Sequence, residues 1–214
     1  MNAGILGTGD VGKVLGRGLV RLGYDVMMGS RDPQSEKVKE WVRNTGPRAS
    51  GGSFAETAAF GDILFLATLW TGTENAIRLA GVKNFTGKVV VDATNPLDFS
   101  SGFPPKLALG HTDSGGEQVQ RWLPDARVVK AFNMVGNAHM VNPQLPGGPP
   151  DMFICGNDDA AKKTVTGILT AFGWPTIDFG GIEGSRLLEP LCLLWVLYGA
   201  RTNSWNHAFK LLRK

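Results

Sequence analysis

The chain has 214 residues, 43% of them apolar, and its 22 basic side chains nearly balance its 19 acidic ones. This composition excludes a disordered tail, a collagen and a small disulfide scaffold. A net charge of +3 over this length is too small to imply a nucleic-acid groove, so a small-molecule partner is the better expectation. The two cysteines, Cys155 and Cys192, are typical of buried thiols in a reducing compartment.

No membrane segment is expected from the sequence. The longest apolar run, Leu191–Tyr198, has eight residues, whereas a bilayer crossing needs about 20. The apolar segment that opens at Ala3 runs into a glycine-rich turn instead of a small-residue cleavage site, which argues against a signal peptide. We therefore expect a cytoplasmic protein.

The first 33 residues predict a strand–helix–strand unit. A short buried strand at Asn2–Leu6 is followed at once by a Gly-x-Gly-x-x-Gly string at Gly7–Gly12. Apolar residues then recur with helical spacing as far as Leu22, and Gly23 follows where a left-handed cap belongs. A second strand at Tyr24–Met28 completes the unit, so the two strands should pair in parallel.

The alternation continues to about residue 179. The strongest strand signal is Ile63–Ala67, an apolar run that suits a strand covered by helices on both faces. The other expected helices are Ser35–Asn44, Phe54–Phe60, Asn75–Leu79, Gly116–Leu123 and Asp159–Phe172. The other expected strands are Arg48–Ser50, Lys88–Ala93, Arg127–Phe132, Met152–Cys155 and Thr176–Phe179. We predict an α/β chain with a doubly wound parallel-sheet Rossmann domain over residues 1–180 and a helical C-terminal tail over residues 181–214.

The glycine string predicts a dinucleotide site. Gly7 makes the tight turn, Gly9 lets the backbone approach the pyrophosphate, and Gly12 allows close packing of helix and strand. The helix N-terminus adds unpaired N–H donors and positive dipole character for the anion. Asp10 is expected to cap this helix. The alternative is a purely structural turn.

The end of the second strand favours NADP over NAD. An NAD site usually has an acidic residue there to hold the ribose hydroxyls, whereas this chain has Gly29-Ser30-Arg31. A hydroxyl and a guanidinium can donate charge-assisted bonds to the 2′-phosphate, which a carboxylate would repel. The alternative is that Arg31 is a solvated charge and Asp32 holds the ribose.

Five short motifs carry a family resemblance over nearly the whole chain. They are Gly7–Lys13, Gly29–Arg31, Val129–Asn133, Cys155–Asp158 and Gly184–Glu189. In this order and spacing the chain resembles the NADPH-dependent F420 reductases and their bacterial relatives. The resemblance implies that the pyrophosphate is lined by Thr8, Gly9, Asp10 and Val11. It also implies that Ser30 and Arg31 contact the 2′-phosphate, and that Leu69 and Asn137 border the nicotinamide.

The same resemblance implies hydride transfer between C4 of the nicotinamide and C5 of a stacked deazaflavin, with F420 or a flavin as co-substrate. Positioning two flat rings can supply much of the rate, so no catalytic residue is assigned. The three histidines show neither metal nor triad spacing, and no metal site is expected. The fifteen expected cofactor-binding residues are Gly7, Thr8, Gly9, Asp10, Val11, Gly12, Ser30, Arg31, Thr68, Leu69, Trp70, Asn95, Pro96, Asn133 and Asn137.

Trp70 and the Asn95-Pro96 step are expected to wall the nicotinamide pocket, because both follow central strands whose ends converge at the switch point of the sheet. The alternative for Trp70 is a lid or plain packing.

We thus predict an NADP-dependent oxidoreductase acting on a small-molecule electron acceptor or donor, with a non-catalytic NADP-binding redox sensor as the alternative. An imine or hydroxy-acid reductase is weaker, because such relatives usually append a large helical domain. A homodimer is expected through the tail, since the helix around Leu187–Tyr198 is apolar on all sides. The alternative is a helix buried within the monomer. The acceptor and the hydride face are left open.

Overall fold

The computed structural model describes residues 1–213, which form short strands and helices that largely alternate along the chain. The strands are β1 Asn2–Leu6, β2 Asp25–Ser30, β3 Ala49–Ser53, β4 Ile63–Leu66, β5 Val89–Asp92, β6 Leu97–Asp98, β7 Lys106–Leu107, β8 Arg127–Lys130, β9 Met152–Gly156 and β10 Thr176–Asp178. The helices are α1 Asp10–Arg21, α2 Glu36–Thr45, α3 Phe54–Phe60, α4 Trp70–Ala80, α5 Gly115–Trp122, α6 Asp159–Ala171 and α7 Ser185–Thr202. Short 3-10 turns lie at Val82–Phe85, Asn137–His139 and Ile182–Gly184.

Eight of the strands form one sheet in the order β3-β2-β1-β4-β5-β8-β9-β10, and β6 pairs with β7 in a separate hairpin. The chain builds outward from β1 to β3 and then returns to place β4 on the other side of β1. This reversal is the switch point at which doubly wound sheets bind their ligands. The predicted Rossmann-type α/β fold with a helical C-terminal segment is confirmed.

One step of the sheet is antiparallel, so the predicted parallel sheet is mostly but not entirely parallel. β9 runs antiparallel to β8, while the other steps of this sheet are parallel. A parallel pair needs a crossover connection. The loop at residues 131–151 holds a 3-10 turn at Asn137–His139 in place of a crossover helix, so the chain reverses direction. α6 then supplies the crossover that makes β10 parallel to β9.

Two element boundaries differ from the prediction in ways that affect the cleft. β2 continues to Ser30 because it pairs with β3 as far as Ser53. α4 begins at Trp70 and not near Asn75. Its first turn is held by the Thr73 hydroxyl, which bonds to the carbonyl oxygen of Leu69 at 3.1 Å. This side-chain bond supports a helix start at Trp70 that the weak helical pattern of residues 70–74 did not predict.

Alternate side chains of the strands fill two apolar cores on opposite faces of the sheet. Along β4, Phe65 belongs to the core beside α1 and α6, while Leu64 and Leu66 belong to the core beside α3, α4 and α5. Cys155 and Cys192 are free and buried, and burial raises the pKa of the Cys155 thiol to about 11. Among residues 1–213, no helix combines the length and apolar character needed to cross a membrane.

Candidate functional site

A cleft of about 750 Å³ opens at the switch point, where the carboxyl ends of β1, β2 and β4 meet the N-termini of α1 and α4. Ten of the fifteen expected residues line it. They are Gly7, Thr8, Gly9, Asp10, Val11, Ser30, Arg31, Thr68, Leu69 and Asn137. The other five, Gly12, Trp70, Asn95, Pro96 and Asn133, lie outside the lining of this cleft.

The glycine loop brings backbone to the floor of the cleft. Gly7 has a φ of +131°, and a Cβ there would lie 2.3 Å from the carbonyl oxygen of Ala67. Gly12 is outside the cleft because it faces the loop itself, where a Cβ would lie 2.3 Å from the Gly7 carbonyl oxygen. At Gly9 a Cβ would meet nothing within 4 Å. The loop therefore leaves open space in front of the first turn of α1.

The N-terminus of α1 faces that open space. Its N-cap residue is Gly9, so the expected cap by Asp10 is wrong: Asp10 is the first helical residue and is exposed. With a glycine at the N-cap, a side-chain oxygen does not occupy the first N–H groups. These donors and the positive end of the helix dipole suit an anion such as a pyrophosphate.

Three basic or hydroxyl side chains meet at the β2 end of the cleft. Ser30 ends β2, the exposed Arg31 follows it, and Lys37 joins them from the first turn of α2. The Ser30 oxygen accepts the Asp32 N–H at 3.1 Å, so the hydroxyl proton stays available for a ligand. Two cationic groups and a hydroxyl fit a phosphate.

Asp32 is placed differently from its neighbours. Its Oδ1 accepts the N–H of Gln34 at 3.0 Å, and its side chain is not part of the cleft lining. The carboxylate is thus engaged in its own turn. This arrangement favours the phosphate interpretation of the β2 end over a ribose held by Asp32.

The far end of the cleft is apolar. Leu69 is the N-cap residue of α4 and is 82% exposed at the rim, in a position where a polar cap is usual. Ala93, after β5, and Asn137, in the loop after β8, complete this end. An exposed leucine beside small and amide side chains offers a surface for a flat ring.

Trp70 and Pro96, which were expected to wall this end, lie outside the lining of the cleft. The Trp70 ring stacks on Trp122 with centroids 5.4 Å apart. It also packs beside Pro96 and the start of α5: a Cβ on Gly115 would lie 3.2 Å from both Pro96 Cδ and Trp70 Cζ3. Trp70 therefore faces α5, while the neighbouring Leu69 lies at the rim of the cleft.

Asn95 and Asn133 bond to each other instead of lining the cleft. The Asn95 amide donates to the Asn133 carbonyl at 2.7 Å, and the Asn133 amide donates to Asn95 Oδ1 at 3.1 Å. The Asn133 amide also donates to the carbonyl of Leu188 in α7 at 2.9 Å. These residues therefore join the loops after β5 and β8 to the tail helix.

Sequence reasoning missed several lining residues, among them Lys37, Phe54 and Asn75. Lys37 had a usable signal, because a basic residue in the first turn after the Gly-Ser-Arg bend faces the same end of the sheet. Phe54 and Asn75 lie on helices whose rotation the pattern did not fix. Lys130, a buried lysine within the Val129–Asn133 motif, was also given no role from the sequence.

Lys130 is fully buried and ionised. Burial alone would lower the pKa of its ammonium, but the carboxylates of Asp92 and Glu189 outweigh that cost and hold the pKa above its usual value. We call Lys130, Asp92 and Glu189 the Lys130 cluster. It adjoins Ala93 at the far end of the cleft, because Asp92 is the last residue of β5 and Ala93 follows it.

The fold and the cleft together define a Rossmann-type dinucleotide-binding protein. A family model described as "NADP oxidoreductase coenzyme F420-dependent" matches residues 2–96. The F420-dependent NADP reductase of Methanocaldococcus jannaschii is 32% identical over 199 residues, which cover 89% of this chain and 88% of that protein. The chain belongs to the F420-dependent NADP reductase family, which makes it an NADP-dependent oxidoreductase by class and confirms the resemblance seen in its motifs.

Two further similarities extend this result. A crystal structure from Arthrobacter sp. FB24, described provisionally as an F420-dependent NADP reductase, superposes with a TM-score of 0.93 at 37% identity and covers 99% of both chains. The metalloreductase STEAP3 of Rattus norvegicus is 32% identical over 200 residues, which are 89% of this chain but 36% of that protein. The chain thus spans about a third of the length of STEAP3.

Proposed function

We propose that the protein transfers a hydride between NADPH and a flat acceptor, either coenzyme F420 or a flavin. The observation that carries this proposal is the polarity of the cleft: a phosphate-binding end at Ser30, Arg31 and Lys37, and an apolar end at the exposed Leu69. The names of the relatives support F420 as the acceptor. A flavin is kept beside it because both acceptors present a flat ring of similar shape.

The residues present fit NADP. The open space in front of Gly9 and the first turn of α1 would hold the pyrophosphate, with Thr8 and Val11 beside it. Ser30, Arg31 and Lys37 would hold the 2′-phosphate through charge-assisted bonds.

When bound, NADPH supplies a hydride from C4 of its nicotinamide. The protein's part is to hold the donor, order the acceptor and keep water out. Leu69 gives an apolar surface at this end, Ala93 leaves room for a ring to approach, and Asn137 offers an amide for orientation. Positioning of this kind brings the reacting atoms into contact without a dedicated acid or base.

The direct test is to mix the purified protein with NADPH and either F420 or FMN. We expect the near-ultraviolet absorbance of NADPH to fall together with reduction of one acceptor, and much more slowly with NADH. NADPH binding without turnover on either acceptor would contradict the proposal and favour a redox sensor.

We also propose that residues 1–180 form the NADP-binding domain and that the tail, residues 181–214, joins two copies into a homodimer. Leu187, Leu194 and Tyr198 are 65%, 54% and 54% exposed on one stripe of α7, while Leu188 and Cys192 on another face are buried in the same chain. An exposed apolar stripe of this length suits a second copy of the helix. The two free thiols fit a cytoplasmic location.

A further inference from the structure

The Lys130 ammonium links β8, on which this residue lies, to the end of β5 and to α7. Its Nζ lies 2.7 Å from Asp92 Oδ2 at the end of β5 and 2.8 Å from Glu189 Oε1 in α7, and it donates to the Thr94 carbonyl at 2.8 Å. All three of its protons therefore have acceptors. Loss of any one partner would leave this buried charge incompletely paired, which is costly. The three contacts therefore hold the end of β5 and α7 close to Lys130.

The two carboxylates extend this cluster. Glu189 accepts the N–H groups of Gly115 and Gly116, each at 2.9 Å, at the start of α5. The other oxygen of Asp92 accepts the backbone N–H and the hydroxyl of Thr94, at 2.9 and 2.7 Å. Ala93, which lines the far end of the cleft, lies between these two bonded residues.

The tail helix is fastened at two more points along the segment after β8. The Asn133 amide donates to the Leu188 carbonyl. Further on, Gly136 lies so close to Trp195 of α7 that a Cβ would be 2.8 Å from the ring. Asn137, the lining residue, follows immediately. Both sides of the far end are thus set by the same helix.

We propose that Lys130 and Glu189 are positioning residues that fix α7 against the sheet and thereby set the far end of the cleft for the acceptor. This inference rests on the proposed function, and it assigns the two ends of the cleft to different parts of the chain. The donor's 2′-phosphate is held at Ser30, Arg31 and Lys37. The acceptor depends on the cluster through Ala93 and Asn137.

The first test is Glu189→Gln, which keeps the shape of the side chain and removes its charge. We expect kcat/KM for the acceptor to fall by roughly ten- to a hundredfold, the size of effect that small misplacements of reactants produce. The Kd for NADPH should change by less than about twofold, because the groups that hold its phosphates lie at the other end of the cleft, far from the change. Lys130→Met should show the same split.

The matched control is Lys162→Met. Lys162 of α6 also lies between two carboxylates. It is 3.1 Å from Asp159 of the same helix and 2.8 Å from Asp178 of β10, away from the tail helix. This variant should leave both the NADPH Kd and the acceptor kinetics as they are in the unmodified protein. An acceptor defect as large as that of Glu189→Gln would show that the effect is not particular to the cluster.

A second measurement needs no acceptor. Amide hydrogen exchange of the NADPH-bound protein should be faster at residues 133–137 in Glu189→Gln, and unchanged at residues 29–37. Gly136→Ala, whose added Cβ pushes Trp195 away from this segment, shows the change in exchange that displacement of α7 produces here. Exchange at residues 133–137 that stays unchanged in Glu189→Gln overturns the proposal.

Two kinetic results also overturn it: a loss of thermal stability with normal kinetics, or a parallel loss of NADPH affinity and acceptor turnover. A different failure is recognisable. If the unmodified protein turns over no acceptor while Glu189→Gln still speeds exchange at residues 133–137, the proposed function is wrong and the positioning role of the cluster stands.

Discussion

Trp70 and Trp122 stack with their ring centroids 5.4 Å apart and their planes inclined by 25°, so that the first residue of α4 is joined to the last residue of α5. Both rings pack against the core formed beside α3, α4 and α5. The pair therefore stabilises the packing of α4 against α5 beside the cleft. The neighbouring Leu69 is exposed at the rim of the cleft.

Trp70→Ala should lower the free energy of unfolding by about 1–3 kcal/mol, the range for losing a largely buried aromatic side chain and its stacking partner. The Kd for NADPH should not change. Urea unfolding and a fluorescence titration measure the two quantities. Trp122→Ala is the matched control and should give a similar loss of stability. Weaker NADPH binding by Trp70→Ala at unchanged stability would return Trp70 to the cleft wall.

Arg31→Ala should weaken NADPH binding by roughly ten- to a hundredfold, because a hydrogen bond to a charged group is worth about 1.5–3 kcal/mol. Lys37→Ala should weaken it in the same direction. Binding of NADH should barely change in either variant, since NADH has no 2′-phosphate. Titration of each variant with both cofactors measures the difference.

Asp32→Ala is the control for that assignment. Its carboxylate is engaged by the Gln34 N–H, so its removal should leave the affinities for both cofactors close to those of the unmodified protein. A loss of NADH affinity in Asp32→Ala, larger than the loss of NADPH affinity in Arg31→Ala, would assign the ribose to Asp32.

Leu194→Glu should dissociate the proposed dimer, because it places a charge in the middle of the exposed stripe on α7. Light scattering at micromolar concentration should give twice the chain mass for the unmodified protein and 22.9 kDa for the variant. Leu79→Glu changes a 43% exposed leucine on α4 and should leave the dimer intact. A mass of 22.9 kDa for the unmodified protein would rule out a dimer under these conditions.

Acid should weaken the contact between α5 and α7. The Arg186 guanidinium, whose Nε donates to Glu117 Oε2 at 2.8 Å, lowers the pKa of Glu117 despite partial burial. A carboxyl group with a lowered native pKa stabilises the fold above its ordinary pKa of 4.5. That contribution is lost as the pH falls through 4.5 towards the lowered value.

Glu117→Gln should therefore reduce the melting temperature at neutral pH and make it less sensitive to acid. Melting curves across the acid range measure this slope. Glu36→Gln breaks an ion pair with Arg43 in which both side chains are more than half exposed, so its effect should be smaller. Equal slopes for Glu117→Gln and the unmodified protein would contradict the assignment.

The end of the cleft formed by the glycine loop and β2 was predictable from the sequence because its contacts are local. Gly7, Gly9 and Ser30 belong to one strand–helix–strand unit, and the backbone of that unit fixes where they lie. The far end depends on partners that are distant in the chain. Trp70 could be placed only with Trp122, and Lys130 only with Asp92 and Glu189. Hydrophobic periodicity does not specify such pairings, which arise when the sheet and the helices pack.

The antiparallel step between β8 and β9 has the same origin. An apolar strand has the same composition in either direction, so the runs at Arg127–Lys130 and Met152–Gly156 carried no signal for their relative orientation. The connection decides it, and the sequence pattern assigned no helix or strand to the proline- and glycine-rich segment between them.

The separation of the two ends of the cleft bears on how such a protein can diversify. Ser30, Arg31 and Lys37 occupy a short stretch near the start of the chain, whereas Asn137 follows Gly136, which packs on Trp195 of α7 near the end of the chain. In the arrangement that we propose, exchange of the early stretch would alter the nucleotide that is used, and changes in α7 would alter the molecule that receives the electrons. Selection can thus act separately on the choice of nucleotide and on the choice of electron acceptor within a single small fold.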